Sequence, residues 1–152
     1  MSDDMAGDKG RYRAFISYSW KDKLWGERLH RWMEKYRAPK GLADAGETRR
    51  LGKFFRDDAD MPAGADIGAI VREAIARSDN LIVICSPHSA NSRWVRAEIE
   101  EFRRATPQGQ IFAVIVDGAP NADDPAEECF PPQLRKTHDL SVADAMPDRK
   151  SV

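Results

Sequence analysis

Two uninterrupted apolar stretches limit the folds open to this chain more than any other feature. The first, NLIVIC, spans residues 80–85, and the second lies within QIFAVIVDG at residues 110–118. Such runs are typical of strands buried on both faces, as in parallel sheets covered by helices. RAFISYS at 13–19 and the short GKFF at 52–55 have the composition of further strands. The sequence therefore predicts a sheet built from these segments.

Amphipathic segments separate the candidate strands. Apolar residues recur at helical spacing in each interval, at Trp25, Leu29, Trp32, Met33 and Tyr36 in the first, at Ile67, Ile70, Val71, Ala74 and Ile75 in the second, and at Val95, Ile99 and Phe102 in the third. Asp66 and Ser92 are candidate N-caps, and Asp22 is an acid suited to a helix start. The Trp and Met stripe of the first helix is interpreted as core packing. The alternation predicts an α/β fold with helices on both faces of a parallel sheet.

Composition narrows the possible partners. With 152 residues and a formal net charge of -1, the chain is expected to be one soluble cytoplasmic domain without a nucleic-acid or membrane partner. No apolar run approaches the roughly 20 residues that a membrane helix needs. The two cysteines, Cys85 and Cys129, and the scattered histidines have no ligand spacing, so no metal site is expected.

The ends of the strands are the places to look for a site. In open parallel sheets, ligands bind outside the carboxyl ends of the strands, here Ser17-Tyr18-Ser19, Arg56-Asp57 and Cys85-Ser86. The chain has neither the G-x-G-x-x-G nor the G-x-x-x-x-G-K-[ST] phosphate-binding pattern, and no G-x-S-x-G marks a nucleophilic serine. A functional site in this chain therefore has to rely on residues other than a glycine-rich phosphate loop or a nucleophilic serine of that motif.

The segment NSRWVRAEIEE at 91–101 offers one carboxylate beside an indole. Trp94 and Glu98 are four residues apart, so on a helix they share one face. The residues alone leave two interpretations open, a salt-bridging rim or a functional site.

Three motifs carry a resemblance to a known family. FISYS, then FRDDADMPAG, then SPHSANSRWVRAE, in this order and spacing, resemble the bacterial branch of the Toll/interleukin-1 receptor (TIR) domain family over about residues 12–118. The resemblance implies a flavodoxin-like three-layer sandwich, with a central parallel sheet of strand order 2-1-3-4-5. It also implies homotypic self-association, in which the loop after the second strand contacts a neighbour. Ser92-x-Trp94-x-x-x-Glu98 is similar to the signature of members that cleave NAD, in which the glutamate is catalytic.

The domain organisation follows from this match and from the pattern that fades after Asp117. Residues 1–11 are expected to form a disordered leader and residues 12–140 the TIR domain. Residues 141–152 are interpreted as a polar tail that starts a linker to a further module, although LSVA at 140–143 is a candidate short strand.

The chemistry of NAD cleavage fits a single carboxylate. Ordinary glycosidases need two carboxylates, because the leaving oxygen must be protonated. Nicotinamide departs neutral from a pyridinium and needs no acid, so Glu98 alone can face the developing sugar cation. Trp94 would wall the pocket and lower the local dielectric. NAD+ is the substrate here, and no cofactor is expected.

The other predicted substrate-binding residues lie at the strand ends and at the start of the third helix. Tyr18 and Trp20 are candidates to stack on nicotinamide or adenine. Ser17 and Ser19 are candidate donors to phosphate or ribose, and Arg56 is a candidate partner of a phosphate. Ser92 is included through the family signature.

Three functional hypotheses result. The first is an NAD+ glycohydrolase or cyclase, acting as a bacterial anti-phage or signalling effector activated by self-assembly. The second is a non-catalytic TIR adaptor, in which Glu98 is only a salt-bridge partner. The third, a nucleoside deoxyribosyltransferase-like enzyme, explains the RDDADMPAG loop less well. The intact Trp94 and Glu98 pair favours the first.

Overall fold

The structure is a computed structural model that describes residues 11–37, 51–56, 68–135 and 140–145. Its strands are β1 (Tyr12–Ser17), β2 (Phe54–Arg56), β3 (Ser78–Cys85), β4 (Gln110–Ile115) and β5 (Leu140–Asp144). Its helices are α1 (Lys23–Lys35), α2 (Ala69–Ala76), the short α3 (Pro87–Ala90) and α4 (Arg93–Ala105). Single 3-10 turns occur at Trp20–Asp22 and Pro132–Leu134. The predicted cap Asp66 and the acidic loop after Arg56 lie outside the described residues.

The strands form one parallel sheet in the order β2-β1-β3-β4-β5. Ile16 of β1 lies opposite Arg56 of β2, Ser17 opposite Val83 of β3, and Cys85 of β3 opposite Ile115 of β4. Because all the pairs are parallel, the carboxyl ends of the strands meet at one edge. The predicted strand order is confirmed.

Helices cover both faces of the sheet. On one face, Trp25, Leu29 and Met33 of α1 pack against a buried cluster from β1, β2 and β3. On the other face, α2 and α4 form the larger core, with Ile75, Ile99 and Phe102 each 0% exposed. The predicted flavodoxin-like three-layer sandwich is therefore confirmed.

The stripe on α1 is not wholly part of the core. Trp32 is 58% exposed, whereas Trp25, Leu29 and Met33 are partly buried. The interpretation of the whole stripe as core packing is thus wrong for Trp32. Trp32 lines an apolar cleft of about 310 Å³ between α1 and the β3 and β4 side of the sheet, so its indole is only partly covered.

The fifth strand coincides with the LSVA segment. β5 pairs in parallel with β4 from Leu140 to Asp144. Its side chains are exposed or half-buried, and Val142 is 52% exposed. Among the described helices, none has the length and apolar character required to cross a bilayer.

Candidate functional site

Glu98 lies on the buried side of α4. The helix begins at the N-cap Ser92, whose Oγ accepts a hydrogen bond from the Val95 backbone N–H at 3.2 Å, as the sequence predicts. Ile99, the next residue, is 0% exposed, and Glu98 itself is only 2% exposed. The carboxylate is therefore directed into the domain and does not belong to a solvated rim.

One hydrogen-bond partner of Glu98 is Ser17, the last residue of β1. The Ser17 hydroxyl, which is fully buried, donates to Oε1 of Glu98 at 2.6 Å. A buried carboxylate is costly unless its oxygens accept hydrogen bonds, and this bond meets that need. It fixes the acid at the carboxyl edge of β1.

The residues after Ser17 form a tight turn. Ser19 Oγ accepts from the Lys21 backbone N–H at 3.3 Å, and the Ser19 carbonyl accepts from the Asp22 N–H at 2.8 Å. Trp20, between them, is 68% exposed. The turn therefore presents a large aromatic surface to solvent at the edge where the sequence predicts substrate binding.

Tyr18 is placed differently from Trp20. Its side chain is 8% exposed, and its ring lies so close to Gly26 of α1 that an added Cβ would meet it at 3.1 Å. The absence of a side chain at Gly26 is thus what allows the turn to lie against α1. Tyr18 offers little open ring surface, and its predicted stacking role stays a prediction.

Arg56, the last residue of β2, is anchored by a chain of hydrogen bonds. Its Nη1 donates to the Tyr18 hydroxyl at 3.5 Å, and its Nε donates to Nδ1 of His30 at 3.0 Å. Since a guanidinium can only donate, Nδ1 must accept, and the imidazole proton therefore lies on Nε2. Nε2 contacts Oε2 of Glu34 at 3.0 Å. The predicted phosphate contact of Arg56 stays a prediction.

The sequence analysis missed a second buried pair at the same edge. Ser86 Oγ donates to Oδ2 of Asp22 at 2.5 Å, and the two residues are 0% and 8% exposed. Ser86 also caps α3, accepting from the backbone N–H groups of His88 and Ser89 in a capping box. The S-P-H-S pattern, with proline at the first helical position, is a sequence pattern from which this cap could have been predicted. No local pattern predicts the bond from Ser86 to Asp22, because the two residues are 64 positions apart.

Burial governs the protonation of Asp22. Loss of solvent raises the pKa of this carboxyl above its ordinary value of 3.8, and Asp117 acts in the same direction. The Ser86 hydrogen bond and the nearby His88 oppose the rise in pKa without cancelling it. The native state therefore holds the Asp22 proton to higher pH than the unfolded chain does.

This raised pKa predicts a pH-dependent effect of Asp22→Asn. Between 3.8 and the raised native pKa, the folded wild type binds more protons than the unfolded chain, so its stability falls as pH rises through that window. Asparagine does not titrate, so the free energy of unfolding of the wild type, relative to that of the variant, should be highest at acid pH and should fall as pH rises to neutral. Urea unfolding of both proteins at several pH values measures this, and a constant difference would contradict it.

The structure joins some predicted residues and separates others. It brings Ser17 to Glu98 and Tyr18 to Arg56, and it places Ser92 and Trp94 at the start of α4. Trp94 is half-buried and packs against the larger core. Ser19 bonds instead to Lys21 of its own turn, and Trp20 is exposed. The substrate-binding roles of the whole set stay predictions.

Two clefts in the described structure lie away from Glu98. One, of about 450 Å³, is at the amino edge of the sheet, where Arg11, Arg13 and Lys53 contribute to its lining. The other is the apolar cleft beside Trp32. The candidate site is therefore described by its buried hydrogen bonds at the carboxyl edge, where ligands bind in open parallel sheets.

Comparison with known proteins agrees with this architecture. The chain is 26% identical over 133 residues to the NAD(+) hydrolase ApTIR of Actinoplanes sp., a match covering 82% of this chain and 18% of that protein. The chain thus spans less than a fifth of that relative's length.

A solved structure has a similar fold. The TIR domains of the activated Roq1 resistosome, which directly recognises the pathogen effector XopQ, superpose with a TM-score of 0.51 at 21% identity, covering 71% of this chain and 59% of that one. The TIR domain profile itself matches residues 14–149. With the sheet order and the three motifs, this match shows that the chain belongs to the TIR domain family.

Proposed function

We propose that this domain cleaves the bond between nicotinamide and ribose in NAD+, with Glu98 as the catalytic residue. The observation that carries the proposal is the placement of Glu98, 2% exposed and bonded to Ser17 at the carboxyl edge of the sheet. The NAD(+) hydrolase activity named for the Actinoplanes relative supports it.

The reaction needs little from the protein beyond charge and position. The bond between C1′ and the pyridinium nitrogen breaks, and its electron pair leaves with neutral nicotinamide. A carboxylate near the ribose stabilises the positive charge that develops there, more strongly in a dry site than in water. Attack of water at C1′, with loss of a proton, gives ADP-ribose, and attack by a group of the same molecule gives a cyclic product.

The burial of Glu98 bears on activation. A side chain that is 2% exposed cannot touch a ribose without a local rearrangement of the residues around it. Activation by homotypic self-assembly would supply such a rearrangement, and it fits an effector that must stay inactive when dilute. We infer that the domain serves a bacterial immune or signalling response in the cytoplasm on this basis.

A non-catalytic adaptor is the second candidate. The observation that favours it is the same buried hydrogen bond, because an acid held by Ser17 can serve packing alone. In that case the domain would act by assembly with other TIR domains, and Glu98 would be a structural acid.

The test is nicotinamide release from NAD+ by the purified domain, followed by chromatography over a wide range of protein concentration. We expect release of nicotinamide together with linear or cyclic ADP-ribose, with a specific activity that rises with concentration. NAD+ that stays intact at every concentration, including conditions in which the protein assembles, would overturn this proposal and favour the adaptor.

A further inference from the structure

Two buried side-chain hydrogen bonds bracket the turn that follows β1. At one end Ser17 is bonded to Glu98 of α4, and at the other end Asp22 is bonded to Ser86 at the start of α3. We propose that Asp22 is a positioning residue of the NAD-cleaving site, which holds the turn and its exposed Trp20 in a fixed place relative to Glu98. This inference rests on the proposed function.

The anchor that Asp22 uses is itself rigid. The single proton of the Ser86 hydroxyl goes to Asp22, while the oxygen accepts two backbone N–H groups of α3. Ser86 directly follows β3, the central strand of the sheet, which fixes the position of its backbone. Asp22 therefore connects the turn to the middle of the sheet.

A carboxylate suits this connection better than a neutral acceptor. The distance of 2.5 Å between Ser86 Oγ and Asp22 Oδ2 falls in the range of hydrogen bonds from a hydroxyl to a carboxylate, which are stronger than neutral ones. Asparagine would accept the same bond more weakly, yet without the cost of burying a titratable acid. The carboxylate of Asp22 therefore holds the turn more firmly than asparagine would, at a cost in the stability of the fold.

The rigidity matters because of what the turn carries. Trp20 is 68% exposed and lies between the two anchored residues. An indole held in place can stack on the planar rings of the dinucleotide, whereas ordering a mobile turn would cost binding free energy. Loss of the Asp22 anchor should therefore weaken substrate binding and leave the chemical step at Glu98 intact.

Steady-state kinetics separate positioning from catalysis. We expect Asp22→Ala and Ser86→Ala each to raise KM for NAD+ about tenfold with kcat unchanged. The double variant should be no worse than the poorer single variant, because both remove one shared bond. Asp22→Asn, which is close in shape and keeps an acceptor, should give an intermediate KM.

Ser89→Ala is the matched control. It removes the other side chain of the α3 capping box and leaves the bond between Asp22 and Ser86 in place. Its KM should equal that of the wild type. A rise in KM equal to that of Ser86→Ala would assign the effect to the cap and overturn the proposal.

A structural readout is independent of activity. The indole N–H resonance of Trp20, assigned by comparison with Trp20→Phe, should shift or broaden in Asp22→Ala, Asp22→Asn and Ser86→Ala but not in Ser89→Ala. An unmoved resonance, or a loss of kcat at constant KM, would overturn the positioning role. If the wild type does not cleave NAD+, the proposed function fails, and the positioning role in NAD cleavage fails with it. If the wild type is active but the Asp22 and Ser86 variants keep its KM, only this inference is refuted.

Discussion

Glu98→Gln should lower the rate of nicotinamide release at least about 100-fold, the loss seen when a single charge-stabilising group is removed from an active site. Glutamine keeps the shape of the side chain and an oxygen that can accept the hydrogen bond from Ser17. In the wild type, Ser17 Oγ lies 2.6 Å from Oε1 of Glu98. The substitution removes the negative charge. The variant therefore separates the electrostatic role of Glu98 from its packing role.

The fold should survive this change. A neutral amide at a position that is 2% exposed avoids the cost of burying a charge, so the thermal unfolding midpoint should not fall. Glu100→Gln is the matched control, since Glu100 lies on the same helix and is exposed, where its carboxylate accepts a hydrogen bond from the side chain of Gln133. It should keep full activity. Equal activity of Glu98→Gln and the wild type would exclude Glu98 as the catalytic residue.

The sheet could be predicted from sequence because its central strands are buried on both faces. Residues 81–85 of β3 are all buried, and an apolar run of this kind admits few alternatives. The bounds of β2 were predicted less accurately, at 52–55, whereas the strand spans Phe54–Arg56, because a strand of three residues has little periodic pattern. β5 was only a candidate, because its half-exposed side chains lack an apolar pattern.

The candidate site could be predicted only in part from the sequence. The sequence indicated Ser17 and Glu98 as separate residues, one for the substrate and one for catalysis. The structure joins them by a hydrogen bond across 81 positions, a contact that no local pattern encodes. Asp22 was interpreted through the helix dipole. It is indeed the N-cap residue of α1, but its side chain makes no capping bond and reaches Ser86 instead.

Glu128→Ala should lower the free energy of unfolding by about 3 kcal/mol, because it leaves several backbone donors without their acceptor. Glu128 is 7% exposed, and its carboxylate accepts from the backbone N–H groups of Asn121, Ala122 and Phe130 at 2.9, 3.0 and 2.9 Å. It thereby closes the loop after β4.

The loop matters because it carries core residues. Cys129 and Phe130 belong to the larger core cluster, and Asn121 is held at a φ of 52°, in the left-handed region. Water can replace the acceptor at exposed Asn121, whereas the N–H of buried Phe130 has less access to solvent. The expected loss in the free energy of unfolding is therefore smaller than it would be if all three N–H groups were left buried without an acceptor.

Urea unfolding of Glu128→Ala, Glu128→Gln and a neighbouring control measures this loss. Glutamine keeps one accepting oxygen and should cost about half as much as alanine. Glu127→Ala changes an exposed acid next in the chain, and a surface change of this kind should stay within about 0.5 kcal/mol of the wild type. If Glu128→Ala were as mild as Glu127→Ala, backbone bonds such as that from Cys129 N to the Ala119 carbonyl at 3.0 Å, rather than the buried carboxylate, would be what holds the loop on the core.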